Sequence, residues 1–204
     1  MYLEPITRDY GSSLKGGSIA RFYINKYVEE KIKTIESCTS VIEVGEERYC
    51  KLIESKERVI ISNIESEKLI FADLETGEGC KENMGDVFIL TNVLSCLFEV
   101  DEALKNVNKM VCKGGTIIVT VPGIAQTNKN DSMKYGQYWR FTPMCLERLI
   151  KKHFVGCQFT IEHFGNVKTA AYFLYGNSVD SLTNEELMYK DEDYPMLIGA
   201  TIVK

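Results

Sequence analysis

Lys113-Gly114-Gly115-Thr116-Ile117-Ile118-Val119-Thr120-Val121-Pro122 is the stretch on which the fold turns. Upstream of it, Ala103, Leu104, Val107, Met110 and Val111 recur at three- and four-residue steps behind Asp101. That spacing predicts an amphipathic helix capped by Asp101. The glycine pair then ends the helix where a left-handed residue is wanted. Thr116 to Val121 is a β-branched run with no alternation, the mark of a strand buried on both faces. Pro122 and Gly123 close it. Helix, glycine turn and buried strand in this order form the second half of a parallel crossover.

The same alternation extends in both directions. Ser18 reads as a cap for a helix of about 18 residues, with Ile19, Phe22, Tyr23, Tyr27, Val28, Ile32 and Ile35 on its apolar face. Val41 to Gly45 is a short buried strand, and residues 47–56 fit a helix. Residues 58–62, 68–72 and 86–91 are further strands, with a charged, glycine-bearing loop over 75–85. Downstream, residues 124–141 form a long polar loop, and Pro143 opens a helix at its first turn. Cys157 to His163 reads as a strand and residues 167–175 as a helix. Thr183-Asn184-Glu185-Glu186 is a capping box, and Ile198 to Val203 is the last strand. Strands alternating with helices predict an α/β fold, a mostly parallel sheet with helices on both faces. Ligands of such sheets sit at the carboxyl ends of the strands. The residues to watch are therefore Gly45, Asn63, Asp73, Asn92 and Pro122.

Composition narrows the function classes. With 204 residues, one unit is expected: an N-terminal segment and lid helix over 1–36, and a Rossmann-like core over 37–204. Lys and Arg number 24 against 29 Asp and Glu, a net charge of −5, so no basic surplus serves a nucleic-acid backbone. Seven scattered cysteines, none two residues apart, fit neither a zinc site nor a disulfide scaffold. Reduced core thiols and no metal are expected. No apolar run approaches the ~20 residues of a membrane span, and the first residues lack a signal-peptide pattern. The expected location is the cytoplasm.

Four stretches resemble the class I S-adenosylmethionine-dependent methyltransferases. They are Val41–Gly45, Asp73-Leu74, Gly85–Leu94, and Leu104 through Pro122. The likeness is greatest to small methyltransferase-like proteins associated with glycosyltransferases. Arg8-Asp9-Tyr10-Gly11, Ile19–Ile24, Tyr138-Trp139-Arg140-Phe141-Thr142, Gly165-Asn166-Val167 and Pro195–Lys204 carry it. The resemblance implies a seven-stranded sheet with an antiparallel last strand and S-adenosylmethionine as cofactor. It implies O-methylation of a sugar or another small polar acceptor, with a glycosyltransferase as partner. By the same likeness, Glu43, Gly45, Glu46, Asn63, Asp73, Leu74, Asn92 and Val93 would line the cofactor. Arg21, Tyr23, Tyr138, Trp139, Arg140 and Asn166 would meet the acceptor, and His163 or Tyr10 would act as base.

The sequence also departs from the family. The loop Gly45-Glu46-Glu47-Arg48-Tyr49 keeps one glycine where the family has three. A Glu47 held at positive φ would cost about 1–2 kcal/mol, and its side chain would take cofactor space. Asn63 stands where a ribose-binding acid is expected, and Ser95-Cys96 where an acid–base pair is common. These departures motivate an alternative: the fold retained as a non-catalytic binding or partner module. Each residue also has a structural alternative. Glu43 would hydrogen-bond the first helix, Asp73 would cap a helix or a turn, and Trp139 would anchor its loop on the core.

Overall fold

The computed structural model describes residues 3–204. Seven strands form one sheet: β1 Cys38–Val44, β2 Ser55–Ser62, β3 Ile70–Phe71, β4 Gly85–Thr91, β5 Val111–Pro122, β6 Gln158–Phe164 and β7 Leu197–Val203. Their order is β3-β2-β1-β4-β5-β7-β6. Neighbours from β3 through β5 run parallel, and β7 is antiparallel to both β5 and β6. The strand order reverses between β1 and β4, which opens a crevice at their carboxyl ends.

The helices are α1 Ile19–Ile32, α2 Val100–Met110, α3 Lys129–Tyr135, α4 Pro143–His153, α5 Val167–Leu174 and α6 Asn184–Met188. One sheet face is covered by α2 and α4, whose Ala103, Leu104, Val107, Met110, Leu146 and Ile150 join Phe88, Leu90, Ile117 and Val119. The other face is covered by α1 and α5. α1 is thus a core layer and not a lid, with Ile19, Tyr23, Ile24, Tyr27, Val28 and Ile32 all buried.

Several local expectations are corrected. Residues 47–56 make no α-helix: a 3-10 turn at Cys50–Leu52 is followed directly by β2. α2 ends at Met110, and Gly114, at φ +81°, lies within β5. Asp101 is inside the first turn of α2, where Glu99 holds the cap position. Ser18 holds the cap position of α1 without a side-chain hydrogen bond. The polar loop after β5 contains α3, capped by the Asn128 side chain, which accepts from the amides of Asn130 and Asp131. Pro143 opens α4 behind the Thr142 cap, and the Thr183–Glu186 capping box opens α6, both as the sequence predicts.

Candidate active site

A cavity of about 780 Å³ opens at the carboxyl ends of β1, β2, β4 and β5. Its walls come from these strand ends, from the segment before α1, and from α1, α3 and α5. Four of the five strand-end residues expected to matter line it: Gly45, Asn63, Asn92 and Pro122.

At the end of β1, Glu43 is 2% exposed. A carboxylate there needs partners, and it finds backbone amides. Oε2 accepts from the N–H of Arg48 (3.1 Å), Tyr49 (2.9 Å) and Cys50 (2.8 Å), and Oε1 accepts from Tyr49 (3.1 Å). The loop is therefore wound around its own carboxylate and needs neither a glycine run nor a following α-helix. Gly45 alone takes the left-handed conformation, φ +86°. A Cβ built there would meet nothing within 4 Å, so it would project into open space.

Glu47 is not at positive φ, contrary to the expectation from sequence. Its carboxylate turns away from the cavity to Arg58 on β2 (2.8 Å). Glu46 lines the cavity instead and is paired with Arg48 (2.7 Å). That hydrogen bond, then the charges of Arg48 and Arg21, hold the Glu46 carboxyl below its ordinary value. Tyr49 is buried. Its hydroxyl donates to Asn25 (2.7 Å) and accepts from Arg21 (3.2 Å), and burial pushes the phenol up. Burial, and next Glu43, push the Cys50 thiol up to about 12. Arg21 reaches from α1 into the same end of the cavity. Among the described residues no carboxylate pairs with it.

Beside β2 and β4 the lining is Asn63, Ile64, Ala72, Leu74, Val93 and Leu97, a mainly apolar slot with an amide at one edge. Asp73 does not line it. Its Oδ1 accepts from the amides of Glu75 (2.8 Å) and Thr76 (3.2 Å), so it caps the turn after β3. Asn92 holds φ +56°, a conformation that Asn tolerates better than most residues. Its amide donates to the Thr120 carbonyl (2.8 Å), and its Oδ1 accepts from the Thr120 hydroxyl (3.3 Å). The chain is thereby turned sharply at the end of β4.

The far end of the cavity is closed by Tyr10, Gln126, Asp131, Gln137, Arg140 and Phe173. Tyr10 is also left-handed, at φ +65°, strain that surrounding structure must hold in place. Its ring stacks on Phe173 (5.9 Å, 12°), and its hydroxyl accepts from Gln137 Nε2 (2.9 Å). Burial, foremost, pushes the phenol up. Tyr10, one of the two expected bases, thus lines the cavity with its hydroxyl against Gln137. Arg140 lines the cavity, but Nε, Nη2 and Nη1 donate to the carbonyls of Ala125 (3.2 Å), Gln126 (2.6 Å) and Trp139 (2.9 Å). It fastens the loop after β5. Trp139 anchors the same loop: its indole N–H donates to the Leu97 carbonyl (2.9 Å), and its ring tilts against Phe98. Tyr138 packs edge-on to Phe98 at the surface. Neither aromatic lines the cavity.

Three more expected residues lie outside the cavity. His163 is on β6, paired through its backbone with Ile198 near the opposite edge of the sheet. Tyr23 is 1% exposed, and its hydroxyl donates to the Leu187 carbonyl (2.9 Å). Asn166 caps α5, accepting from the Thr169 amide (3.0 Å), while its Nδ2 donates to the carbonyls of Glu186 (2.7 Å) and Tyr189 (2.9 Å). It ties α5 to α6. Asn166→Ala is expected to cost about 1–2 kcal/mol, chiefly the lost cap, since the Glu186 and Tyr189 carbonyls it also serves are within reach of water. Urea unfolding checks the cost; a loss under about 0.5 kcal/mol would contradict the structural role.

Residues that sequence reasoning missed are Gln126, Asp131, Gln137 and Arg48 in the walls. Asn128 followed three residues later by Asp131, with Gly136 beyond, is a helix-start and helix-stop pattern that would have revealed α3.

No protein-family model and no curated protein matches this chain. Solved structures do. An S-adenosylmethionine-dependent methyltransferase from Archaeoglobus fulgidus aligns at 14% identity and TM-score 0.57, covering 92% of this chain and 95% of that one. One from Thermotoga maritima aligns at 16% identity and TM-score 0.59, covering 91% of each. The N-methyltransferase NodS of Bradyrhizobium japonicum, in complex with S-adenosylhomocysteine, aligns at 11% identity and TM-score 0.55, covering 96% and 92%. At these identities the likeness is one of fold: the chain has the Rossmann-like architecture of these methyltransferases.

Proposed function

We propose that the chain is an S-adenosylmethionine-dependent methyltransferase acting on a small polar acceptor. The observation that carries this reading is the cavity at the β1–β4 crevice. At one end it offers an open left-handed glycine, Gly45, beside an arginine without a carboxylate partner, Arg21. The fold supports it, since such sheets bind ligands at this crevice.

The residues present fit the ligand part by part. The slot of Ala72, Leu74, Val93 and Leu97 suits a flat purine, with Asn63 at the edge for a ribose hydroxyl. An asparagine offers one acceptor and two donors there, where a carboxylate would accept from two hydroxyls. Gly45 leaves room for close approach to backbone. Arg21 suits the methionyl carboxylate as a charge-assisted partner. Glu43 acts through the loop: it fixes the amides of residues 48–50, so its role is to hold the wall in shape. When bound, S-adenosylmethionine supplies a methyl carbon already activated by a sulfonium. What remains for the protein is alignment, which can supply about 7–11 kcal/mol of rate enhancement. Asn92 turns the chain sharply at the end of β4, Tyr10 and Phe173 close the far end, and Arg140 keeps the loop after β5 in place.

The family resemblance suggests a sugar hydroxyl or related group as acceptor and a glycosyltransferase as working partner. No described helix is long and apolar enough to cross a membrane. A second reading, a non-catalytic binding module, draws on the same loop, because its amides already serve Glu43 and are withdrawn from any ligand carboxylate.

Thermal unfolding with S-adenosylmethionine or S-adenosylhomocysteine separates the two. At a hundredfold excess over Kd, binding adds about 2.7 kcal/mol. For a chain of this size that is a rise in Tm of roughly 5–11 °C. No rise at millimolar ligand would overturn the methyltransferase reading in favour of the module.

A further inference from the structure

Helix α1 begins in the cavity wall, and its start is left uncapped. Ser18, Ala20 and Arg21 all line the cavity. Ser18 holds the cap position, yet its side chain bonds no amide of the first turn. It is 8% exposed, and among the described residues its hydroxyl has no hydrogen-bond partner. The first bond of the helix runs from the Phe22 amide to the Ser18 carbonyl (3.0 Å), and among the described residues the amides of Ala20 and Arg21 have no acceptor. The charges are equally one-sided. The free amides that open a helix carry partial positive charge, which an acid in the first turn offsets. α1 has no acid there, and Arg21 adds a full positive charge to the same turn. Glu46, whose ionisation Arg21 favours, is held by Arg48 (2.7 Å) and bonds nothing on α1.

We propose that the ligand itself caps this helix: the methionyl carboxylate of S-adenosylmethionine accepts from the Ser18 hydroxyl and from the amides of Ala20 and Arg21. The proposal rests on reading the cavity as a methyl-transfer site and names the donors that hold its carboxylate. All three belong to one turn of chain. The oxygen of a capping serine ordinarily reaches the amides two and three residues on. One carboxylate in front of the turn therefore meets the hydroxyl and both amides, and the Arg21 guanidinium supplies charge from the same turn. Such a helix start is an anion site. A neutral or cationic group would leave the positive charge of the turn unanswered, so the carboxylate is the part of the ligand that belongs here.

The loop after β1 supplies the converse half of the argument. Its amides at residues 48–50 are spent on Glu43. The amides at the start of α1 are unspent, and they open on the same cavity. The anion-binding task has thus moved from the glycine loop to the helix that precedes β1. Ser18 is a serine that does not cap because its hydroxyl is kept for the ligand.

The test pairs S-adenosylhomocysteine with 5′-methylthioadenosine, which lacks the methionyl carboxylate. Amide hydrogen exchange is read at Ala20 and Arg21 in the natural protein. Saturating S-adenosylhomocysteine is expected to slow both amides at least tenfold, and methylthioadenosine to leave them unchanged. Ser18→Ala is expected to weaken S-adenosylhomocysteine about tenfold, the loss of one charged hydrogen bond, with methylthioadenosine binding and the ligand-free Tm unchanged. Ser18→Asp puts a fixed anion at the helix start. It is expected to raise the ligand-free Tm and to weaken S-adenosylhomocysteine further than Ser18→Ala does. Equal protection by both ligands, undiminished affinity in S18A, or a ligand-free Tm lowered by several degrees in S18A would overturn the proposal. The exchange experiment needs only the natural protein, so a poorly folded variant does not blunt it. S-adenosylhomocysteine that binds without touching α1 overturns this proposal alone. Failure of both ligands to bind the natural protein overturns the methyl-transfer reading, and this proposal with it.

Discussion

Glu43→Ala is expected to destabilise the protein by about 3–5 kcal/mol, whether or not any ligand is present. The carboxylate is buried and accepts from three successive backbone amides, two of them enclosed in the core with Tyr49 and Cys50. Removing it leaves donors without acceptors, at about 1–3 kcal/mol for each enclosed group. It also leaves a cavity under the loop. In a chain of this size the loss lowers Tm by roughly 6–20 °C. Glu43→Gln keeps the shape and one acceptor oxygen but turns an NH₂ toward the amides, so an intermediate loss is expected. Equilibrium unfolding in urea of the three proteins, free of ligand, is the measurement. If E43A lies within about 1 kcal/mol of the natural protein, the loop is not organised by this residue. The result also bears on any assay of methyl transfer. A loss of activity in E43A would by itself say nothing about ligand contact, because the wall that Glu43 shapes would be lost too.

The same residue shows what was legible in the sequence and what was not. Val41 to Gly45 is readable as a strand because β-branched residues cluster there and glycine stops it. The sheet, with five strand ends marked by Gly45, Asn63, Asp73, Asn92 and Pro122, follows from alternation alone. What the pattern could not show is where one buried carboxylate would spend its hydrogen bonds. Residues 47–56 carry helix-compatible spacing, yet Glu43 captures the amides that would begin a helix, and a tertiary contact overrides local propensity. The family's three-glycine pattern puts Glu47 at positive φ and leaves open whether Glu46 or Glu47 points into the cavity. The loop instead follows a different path, in which Arg58 on the neighbouring strand draws Glu47 outward. At the far end, Trp139, Tyr138 and His163 attract notice because such side chains are chemically rich. Burial and register decide otherwise: β6 lies at the edge of the sheet beyond β7, and the Trp139 indole N–H is satisfied by the Leu97 carbonyl. Asp131 went unnoticed for the converse reason. It sits in a polar run that reads as loop, and only the Asn128 cap makes that run a helix facing the cavity.

Arg21→Met is expected to weaken S-adenosylmethionine and S-adenosylhomocysteine about 10- to 150-fold while leaving 5′-methylthioadenosine unchanged. The reasoning begins from the amides of residues 48–50. They are the natural anion-binding groups at the end of a first strand, but here they are spent on Glu43. A ligand carboxylate at this end needs another partner, and Glu46 would repel it if not already neutralised by Arg48 (2.7 Å). Arg21 lines the same wall, makes one hydrogen bond to Tyr49, and has no carboxylate among the described residues. A charged hydrogen bond of this kind contributes about 1.5–3 kcal/mol, which sets the expected factor. Methionine preserves most of the apolar stem that packs on α1, so the change falls on the guanidinium. Methylthioadenosine has the adenosine and the sulfur but lacks both the amino group and the carboxylate of the methionyl part, and so it reports on the adenosine end alone. Calorimetric titration of the three ligands into both proteins reads the difference. Equal weakening of all three would mean that Arg21 acts through Tyr49 on the shape of the loop. No weakening of any would remove Arg21 from the binding wall and leave the carboxylate without a charged partner at this end. In that case the module reading would gain, since a cavity that cannot hold the methionyl group cannot present its methyl carbon to an acceptor.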